Sequence, residues 1–241
     1  MRSTFLYSLN HDLTPELRVI GVIMFGAWAL AYYQILRAGF RDKTYGLPLA
    51  CIFLDISWEY MFAFNRVAPL ETSISWGNRL WFVADCVIVA QVFMYGRNAQ
   101  SHPWVKANFY AIAVIGLAAS FVGLYLFETY FLDIYGVASS FMINFVLSLL
   151  FIQLLLSRPD LNGLAYGAAW TKMIGSVAGA AFCYLWWPMQ FKAGVLIRPP
   201  YLHEPPNYYF LYFLYGSIFV VDLTYIYLYR QRLMALRAAR T

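Results

Sequence analysis

Apolar residues run along the chain in long windows that short polar connections separate. A helix needs about 20 predominantly apolar residues to cross the hydrocarbon core of a bilayer. Windows near that length recur at 17–37, 46–64, 78–96, 107–127, 136–156, 166–187 and 208–229. The second window is the weakest, because Asp55 and Glu59 interrupt it. The pattern predicts an all-α fold in which residues 1–241 form a single domain of seven transmembrane helices.

The composition favours a membrane location. Hydrophobic residues make up 62% of the chain and charged residues 12%, whereas a soluble domain is about 25% charged. The first apolar run begins near residue 17, is long enough to span, and is not followed by a small-residue cleavage site. We therefore expect that the first helix is retained and that the chain is an integral, multi-pass membrane protein.

The distribution of Lys and Arg predicts the orientation of the bundle. Alternate connections on one side carry Arg37, Arg41, Lys43, Arg97, Lys106, Arg158, Arg230, Arg232, Arg237 and Arg240. The opposite side carries Arg2, Arg18, Arg66, Arg79, Lys192 and Arg198. Because basic residues concentrate on the cytoplasmic side, this excess predicts a cytoplasmic C-terminus and an N-terminus outside. The net charge of +5 is then a topology signal, and nucleic acid is not an expected partner.

The cysteine and histidine residues do not form a metal-binding pattern. Cys51, Cys86 and Cys183 fall within predicted spans and none forms a CxxC, so neither a disulfide framework nor a zinc site is indicated. The three histidines fall in separate connections on both sides of the predicted bundle. No residue is therefore assigned as a metal ligand.

Four acidic residues lie inside the apolar windows: Asp55, Glu59, Asp85 and Asp222. A charged side chain at the centre of a bilayer costs roughly 2.5–3.5 kcal/mol even on the lenient insertion scale. Four such residues indicate a functional site. The alternative is that they only make hydrogen bonds between helices, and the sequence leaves that alternative open.

Each acid has aromatic residues on its own helix face, at the spacing of an amphipathic stripe. The second helix presents Asp55, Trp58, Glu59 and Phe62. The third helix presents Asn78, Trp81, Phe82 and Asp85. The seventh helix presents Tyr215, Phe219, Asp222, Tyr225 and Tyr229. At about 1.5 Å rise per residue, the acids lie about 10 to 20 Å from the cytoplasmic edge, so one cavity can hold all four.

This combination of acids and aromatics fits proton-initiated carbocation chemistry. Burial disfavours the charged form of a carboxyl, and a second acid nearby disfavours it again, so some of these acids are expected to be neutral proton donors. Indole and phenol faces stabilise a carbocation by cation–π attraction, at about 2 kcal/mol or more when desolvated. A dry pocket also keeps water from quenching the cation.

The segments 57-SWEYMFAF-64, 78-NRLWFVAD-85 and 219-FVVDLTY-225 resemble the integral-membrane terpene cyclases of meroterpenoid and indole-terpenoid pathways. These are the pyripyropene and paspaline cyclase type, with bacterial relatives that make drimane-type indole sesquiterpenes. The resemblance covers nearly the whole chain in length, helix layout and placing of acids. It implies a cofactor-free cyclisation, in which the terminal alkene or epoxide of a prenylated, farnesyl-type acceptor is protonated. The implied partners are this lipophilic small molecule and the lipid bilayer.

The resemblance also implies roles for particular residues. Glu59 and Asp222 match the two essential acids of the family, and Asp85 matches its third-helix pattern. No family role transfers to Asp55, which we expect to tune Glu59 from one helical turn away. The residues expected to line the substrate or stabilise its cation are Trp58, Trp81, Phe62, Phe82, Phe219 and Tyr225.

Other functions fit less well. The sequence has neither the DDxxD motif that binds a magnesium diphosphate nor the DxDD motif of soluble proton-initiated cyclases. A light-driven rhodopsin is excluded because the last helix has no Lys for a Schiff base, while Lys172 lies near the start of the sixth helix. A proton-coupled small-solute transporter remains the alternative, since acids within the membrane also form proton relays.

Overall fold

The computed structural model describes residues 14–64, 73–131, 133, 136–192 and 209–239. In this part of the chain, the helices of 15 residues or more are α1 (Pro15–Asp42), α2 (Leu49–Ala63), α3 (Ser73–Gln91), α4 (Phe109–Phe131), α5 (Val137–Ser157), α6 (Tyr166–Lys192) and α7 (Tyr209–Ala238). A π-helical turn, Val92–Gly96, continues α3, and a short helix, Pro103–Ala107, precedes α4. None of the described residues lies in a strand, so the prediction of an all-α fold is confirmed.

Five of these helices are long and apolar enough to cross a membrane over their described residues: α1, α3 with its π-helical turn, α4, α5 and α7. The other two, α2 and α6, do not meet that criterion. With 15 residues, α2 is about 22 Å long, which is shorter than the hydrocarbon core of about 30 Å. The count of seven spans and the orientation of the termini therefore remain predictions.

The helices pack around a shared apolar core. Each long helix contributes to it, as shown by Ile35, Cys51, Ile88, Phe109, Leu147, Ala168 and Tyr225. Among the helix pairs, α1 packs most extensively on α6, and α2 packs on α3, α4 and α5. Gly175 brings α6 close to α1, because a Cβ at this position would lie 2.6 Å from Cδ1 of Trp28. Trp28 is thereby held inside the bundle.

Several connections that carry the predicted excess of basic residues lie at one end of the bundle. The half-buried Arg158 donates from its guanidinium to the carbonyl oxygens of Tyr45 at 2.6 Å and Asn162 at 2.9 Å. It also stacks over the Tyr45 ring, 4.7 Å from the centroid. Arg232 of α7 donates to the carbonyl oxygen of Pro159 at 3.0 Å. The α1–α2 and α5–α6 connections and the C-terminal part of α7 therefore lie at the same end.

Candidate functional site

Lys172 of α6 and Asp222 of α7 form a buried ion pair inside the bundle. The Nζ atom of Lys172 lies 2.8 and 2.9 Å from the two carboxyl oxygens of Asp222. Both side chains are only 3% exposed. Nζ also donates to Oγ of Ser148 on α5 at 2.7 Å, and it lies 5.8 Å from the centroid of the Trp28 ring. Four helices thus contribute to the surroundings of this amine.

A second group of acids brings together Glu59, Asp85 and Asp55. Asp85 is 1% exposed and Glu59 is 9% exposed, while Asp55 is half-buried. Glu59 interacts electrostatically with Asp55 of its own helix and with Asp85 of α3, which packs on α2. Among the described residues, neither oxygen of Asp85 has a hydrogen-bond partner, and Oε2 of Glu59 has none. Buried polar atoms without a protein partner are rare in folded proteins, and a catalytic role is one of the explanations for such a group.

Aromatic residues of α1 extend from one group of acids to the other. The Tyr32 ring lies 5.2 Å from the Trp81 ring and 6.3 Å from the Trp28 ring, measured between centroids. The Tyr32 hydroxyl faces Asp85, although the two do not form a hydrogen bond of normal geometry. Since Trp28 borders Lys172 and Tyr32 borders Asp85, a continuous aromatic row connects the two sites. Lys172 also interacts electrostatically with Asp55.

Trp58 and Phe62 point to a different part of the bundle. The indole Nε1–H of Trp58 donates to Oγ of Ser139 at 2.9 Å, and its ring packs on Phe62 with centroids 4.5 Å apart. A Cβ at Gly136 would lie 2.5 Å from Cζ2 of Trp58. Although they share a helix with Glu59, both aromatic side chains contact the first turn of α5.

The other four aromatic residues proposed from the sequence each lie in a different setting. Trp81 belongs to the row beside Tyr32, and its ring also stacks on Phe25 at 6.1 Å. Phe82 packs against the α2 residue Tyr60, with centroids 5.8 Å apart. Tyr225, one turn after Asp222, is 4% exposed, and its ring lies 5.2 Å from that of Phe151. Phe219 is 42% exposed on the outer surface of α7.

Sequence reasoning missed several buried polar residues. The sequence pattern predicts no role for Lys172, although burying an amine in the membrane costs free energy just as burying an acid does. Glu128 is 1% exposed, and neither of its carboxyl oxygens has a partner among the described residues. It follows the predicted window 107–127 by one residue, so it is not among the acids that lie inside the apolar windows. Tyr32 gave no signal, because a tyrosine in an apolar window is ordinary.

Asp133 precedes α5 and interacts electrostatically with Glu128. Its carboxyl accepts the backbone N–H groups of Ala138 at 3.2 Å and Ser139 at 2.7 Å. Burial raises the pKa of Asp133, and the hydrogen bonds from Ser139 oppose that rise. The arrangement fixes Ser139, which in turn holds Trp58. In the described part of the chain, no group of three or more His, Cys, Asp or Glu residues is arranged to hold a metal ion.

Comparison with known proteins identifies the family of the chain. The model of the Pyr4-like transmembrane terpene cyclases matches residues 13–232. The chain belongs to this family. Its similarity to individual members is moderate: it is 30% identical to the Pyr4-family terpene cyclase mfmH of Annulohypoxylon moriforme, over 66% of this chain and 67% of that protein. It is 27% identical to the terpene cyclase macJ of Penicillium terrestre, over 84% of this chain and 78% of the relative.

Membership of the Pyr4-like family confirms the resemblance drawn from the three sequence segments. A third relative, the terpene cyclase andB of Emericella variicolor, is 27% identical over 80% of this chain and 82% of its own length. The chain is therefore an integral, multi-pass membrane protein of a cyclase family, and a transporter is not favoured. The comparison with solved structures found no match.

Proposed function

We propose that this Pyr4-like cyclase protonates the terminal alkene or epoxide of a prenylated, farnesyl-type acceptor and thereby drives a cationic cyclisation without a cofactor. The observation that supports this most is the group of buried carboxyl oxygens without partners on Glu59 and Asp85, beside an aromatic row. A buried polar group that makes no hydrogen bond costs about 1–3 kcal/mol. An epoxide oxygen or, more weakly, an alkene π bond that receives the proton of a neutral carboxyl would offset part of this cost.

The proton donor in this proposal is Glu59. Three carboxyls lie close together here, and each added negative charge in a buried site disfavours the next. At least one of the three therefore holds a proton that it can transfer. Glu59 would give this proton to the CH carbon of the terminal alkene, which leaves a tertiary cation, or to the oxygen of an epoxide, and Asp85 and Asp55 are its acidic neighbours.

The aromatic row supplies the surroundings of the cation. Positive charge develops at successive carbons of the prenyl chain as its double bonds form the rings. The Tyr32 ring lies 5.2 Å from the Trp81 ring and 6.3 Å from the Trp28 ring, measured between centroids. An aromatic face attracts a cation that lies within about 6 Å of the ring centroid, so a prenyl chain held along this row would have its cations stabilised. The cascade ends when one proton leaves the last cation, so substrate and product have the same mass. Asp222 is the second carboxyl of this machinery.

Cyclisation by isolated membranes tests the proposal. Membranes that contain the protein would be incubated with farnesylated and epoxyfarnesylated aromatic acceptors, in H2O and in D2O. We expect a product of unchanged mass in H2O in at least one series. In D2O, an alkene substrate should gain one deuterium on carbon, whereas an epoxide should gain it only on an exchangeable hydroxyl. Failure of the folded, inserted protein to convert any acceptor of the panel would contradict the proposal.

A further inference from the structure

Lys172 lies in the proposed active site, but it has no role in the proposed reaction as described above. Its amine is held by side chains from two other helices: Ser148 of α5 and Asp222 of α7. The ring of Trp28 covers it from α1. The titratable groups of α2 that interact with it electrostatically are Cys51 and Asp55.

The hydrogen bonds around the amine match the charged form. The hydroxyl proton of Ser148 is already donated to the carbonyl oxygen of Asn144 at 2.9 Å, so Ser148 accepts from Lys172. The two oxygens of Asp222 are the other acceptors, at 2.8 and 2.9 Å. An ammonium group has three hydrogens to donate and no lone pair. Three donors therefore meet three oxygen acceptors, and the carboxyl of Asp222 is left without a proton.

The two groups of acids differ in their hydrogen-bond donors. Glu59 and Asp85 have buried carboxyl oxygens with no donor among the described residues, whereas Asp222 has a charged donor at hydrogen-bond distance from both oxygens. A carboxyl in an apolar interior takes up a proton unless a cation compensates its charge. The environment thus favours a neutral acid at one end of the aromatic row and a carboxylate at the other.

We propose that Lys172 is a positioning residue that keeps Asp222 ionised, so that Asp222 accepts the proton that ends the cascade and the Glu59 group donates the proton that starts it. This assignment rests on the proposed function. In each turnover Glu59 loses one proton to the substrate and Asp222 gains one from the final cation. The cycle closes when one proton passes back from Asp222 to Glu59, so the reaction consumes no net proton.

Infrared difference spectra of the purified protein test the charge state without any substrate. Wild type minus Asp222→Asn should show a lost carboxylate stretch. Lys172→Met minus the double variant Lys172→Met/Asp222→Asn should instead show a lost carbonyl stretch of a protonated acid. The double variant has no buried charge at this site, so it controls for folding. A protonated-acid band for Asp222 in the wild type would overturn the assignment.

Cyclisation per folded protein tests the consequence for catalysis. Lys172→Met should lower kcat about a hundredfold or more, as expected for loss of a general base, with KM little changed. Lys172→Arg keeps the positive charge and should recover part of the loss. Near wild-type kcat in folded Lys172→Met would overturn the proposal. If the wild type cyclises no substrate, the proposed function fails, while the infrared spectra still decide the charge of Asp222.

Discussion

Trp81 and Trp58 form a matched pair of test positions, because each lies near an acid in the sequence but only one is packed toward the acids. The Trp81 ring lies 5.2 Å from Tyr32, whose hydroxyl faces Asp85. Trp58 donates to Ser139 at the start of α5. We predict that replacing Trp81 changes the products, whereas replacing Trp58 changes mainly the stability.

The expected sizes follow from what each ring contacts. Trp81→Leu removes a π face that attracts the cation, which should raise the barrier by about 1–2 kcal/mol and slow turnover roughly fivefold to thirtyfold. Trp81→Phe should be milder, because Phe keeps a weaker π face. Trp58→Phe removes one hydrogen bond, worth about 0.5–1.5 kcal/mol of folding free energy. It should leave the product pattern unchanged.

The assay compares product profiles, normalised to folded protein, with the thermal unfolding of each purified variant. For Trp81→Leu we expect partly cyclised products from the folded protein, because an unsupported cation loses its proton early. An unchanged product profile in folded Trp81→Leu would refute the cation role. If Trp58→Phe changes the product profile without lowering the stability, the structural role assigned to Trp58 is contradicted.

Three further outcomes are expected. Gly136→Ala should lower the free energy of unfolding by about 1–2 kcal/mol from the backbone alone, because Gly136 has φ +66°. A Cβ at this position would also lie 2.5 Å from Trp58. Gly123→Ala, whose Cβ would have nothing within 4 Å, is the control in the same thermal unfolding assay. Arg158→Met should lower the free energy of unfolding by about 1.5–3 kcal/mol, because it removes hydrogen bonds from a charged donor. Arg97→Met, at an exposed position, is the control. Cyclisation should survive a chelator, since the sequence has no diphosphate-binding acidic motif; activity that a chelator abolishes and magnesium restores would contradict this.

The helices were predictable because their signal is local. Each apolar window overlaps a helix of the structure, and only the ends differ, as with the window 166–187 and the helix Tyr166–Lys192. The shortness of α2 was not predictable in the same way. Pro48 precedes its first residue and the helix ends at Ala63, whereas hydropathy alone continued the window from 46 to 64.

The candidate site was predictable only in part, for a physical reason. The cost of burying a charge identifies Glu59, Asp85 and Asp222 one helix at a time. It does not identify the partner of each acid, because Lys172 and Asp222 meet only through the packing of α6 on α7. Helical spacing also defines a broad face: adjacent residues such as Trp58 and Glu59 differ by about 100° around the helix, and here they contact different neighbours.

The most direct test of the central claim is the turnover of Glu59→Gln, normalised to inserted and folded protein, on an acceptor that the wild type cyclises. Gln keeps the size and shape of the side chain but has no proton to transfer, so we expect cyclisation to fall by about 10²-fold or more while substrate binding persists. Asp85→Asn on the same acceptor shows whether a neighbouring acid supplies the proton instead. Near wild-type turnover in folded Glu59→Gln would contradict the assignment of Glu59 as the proton donor.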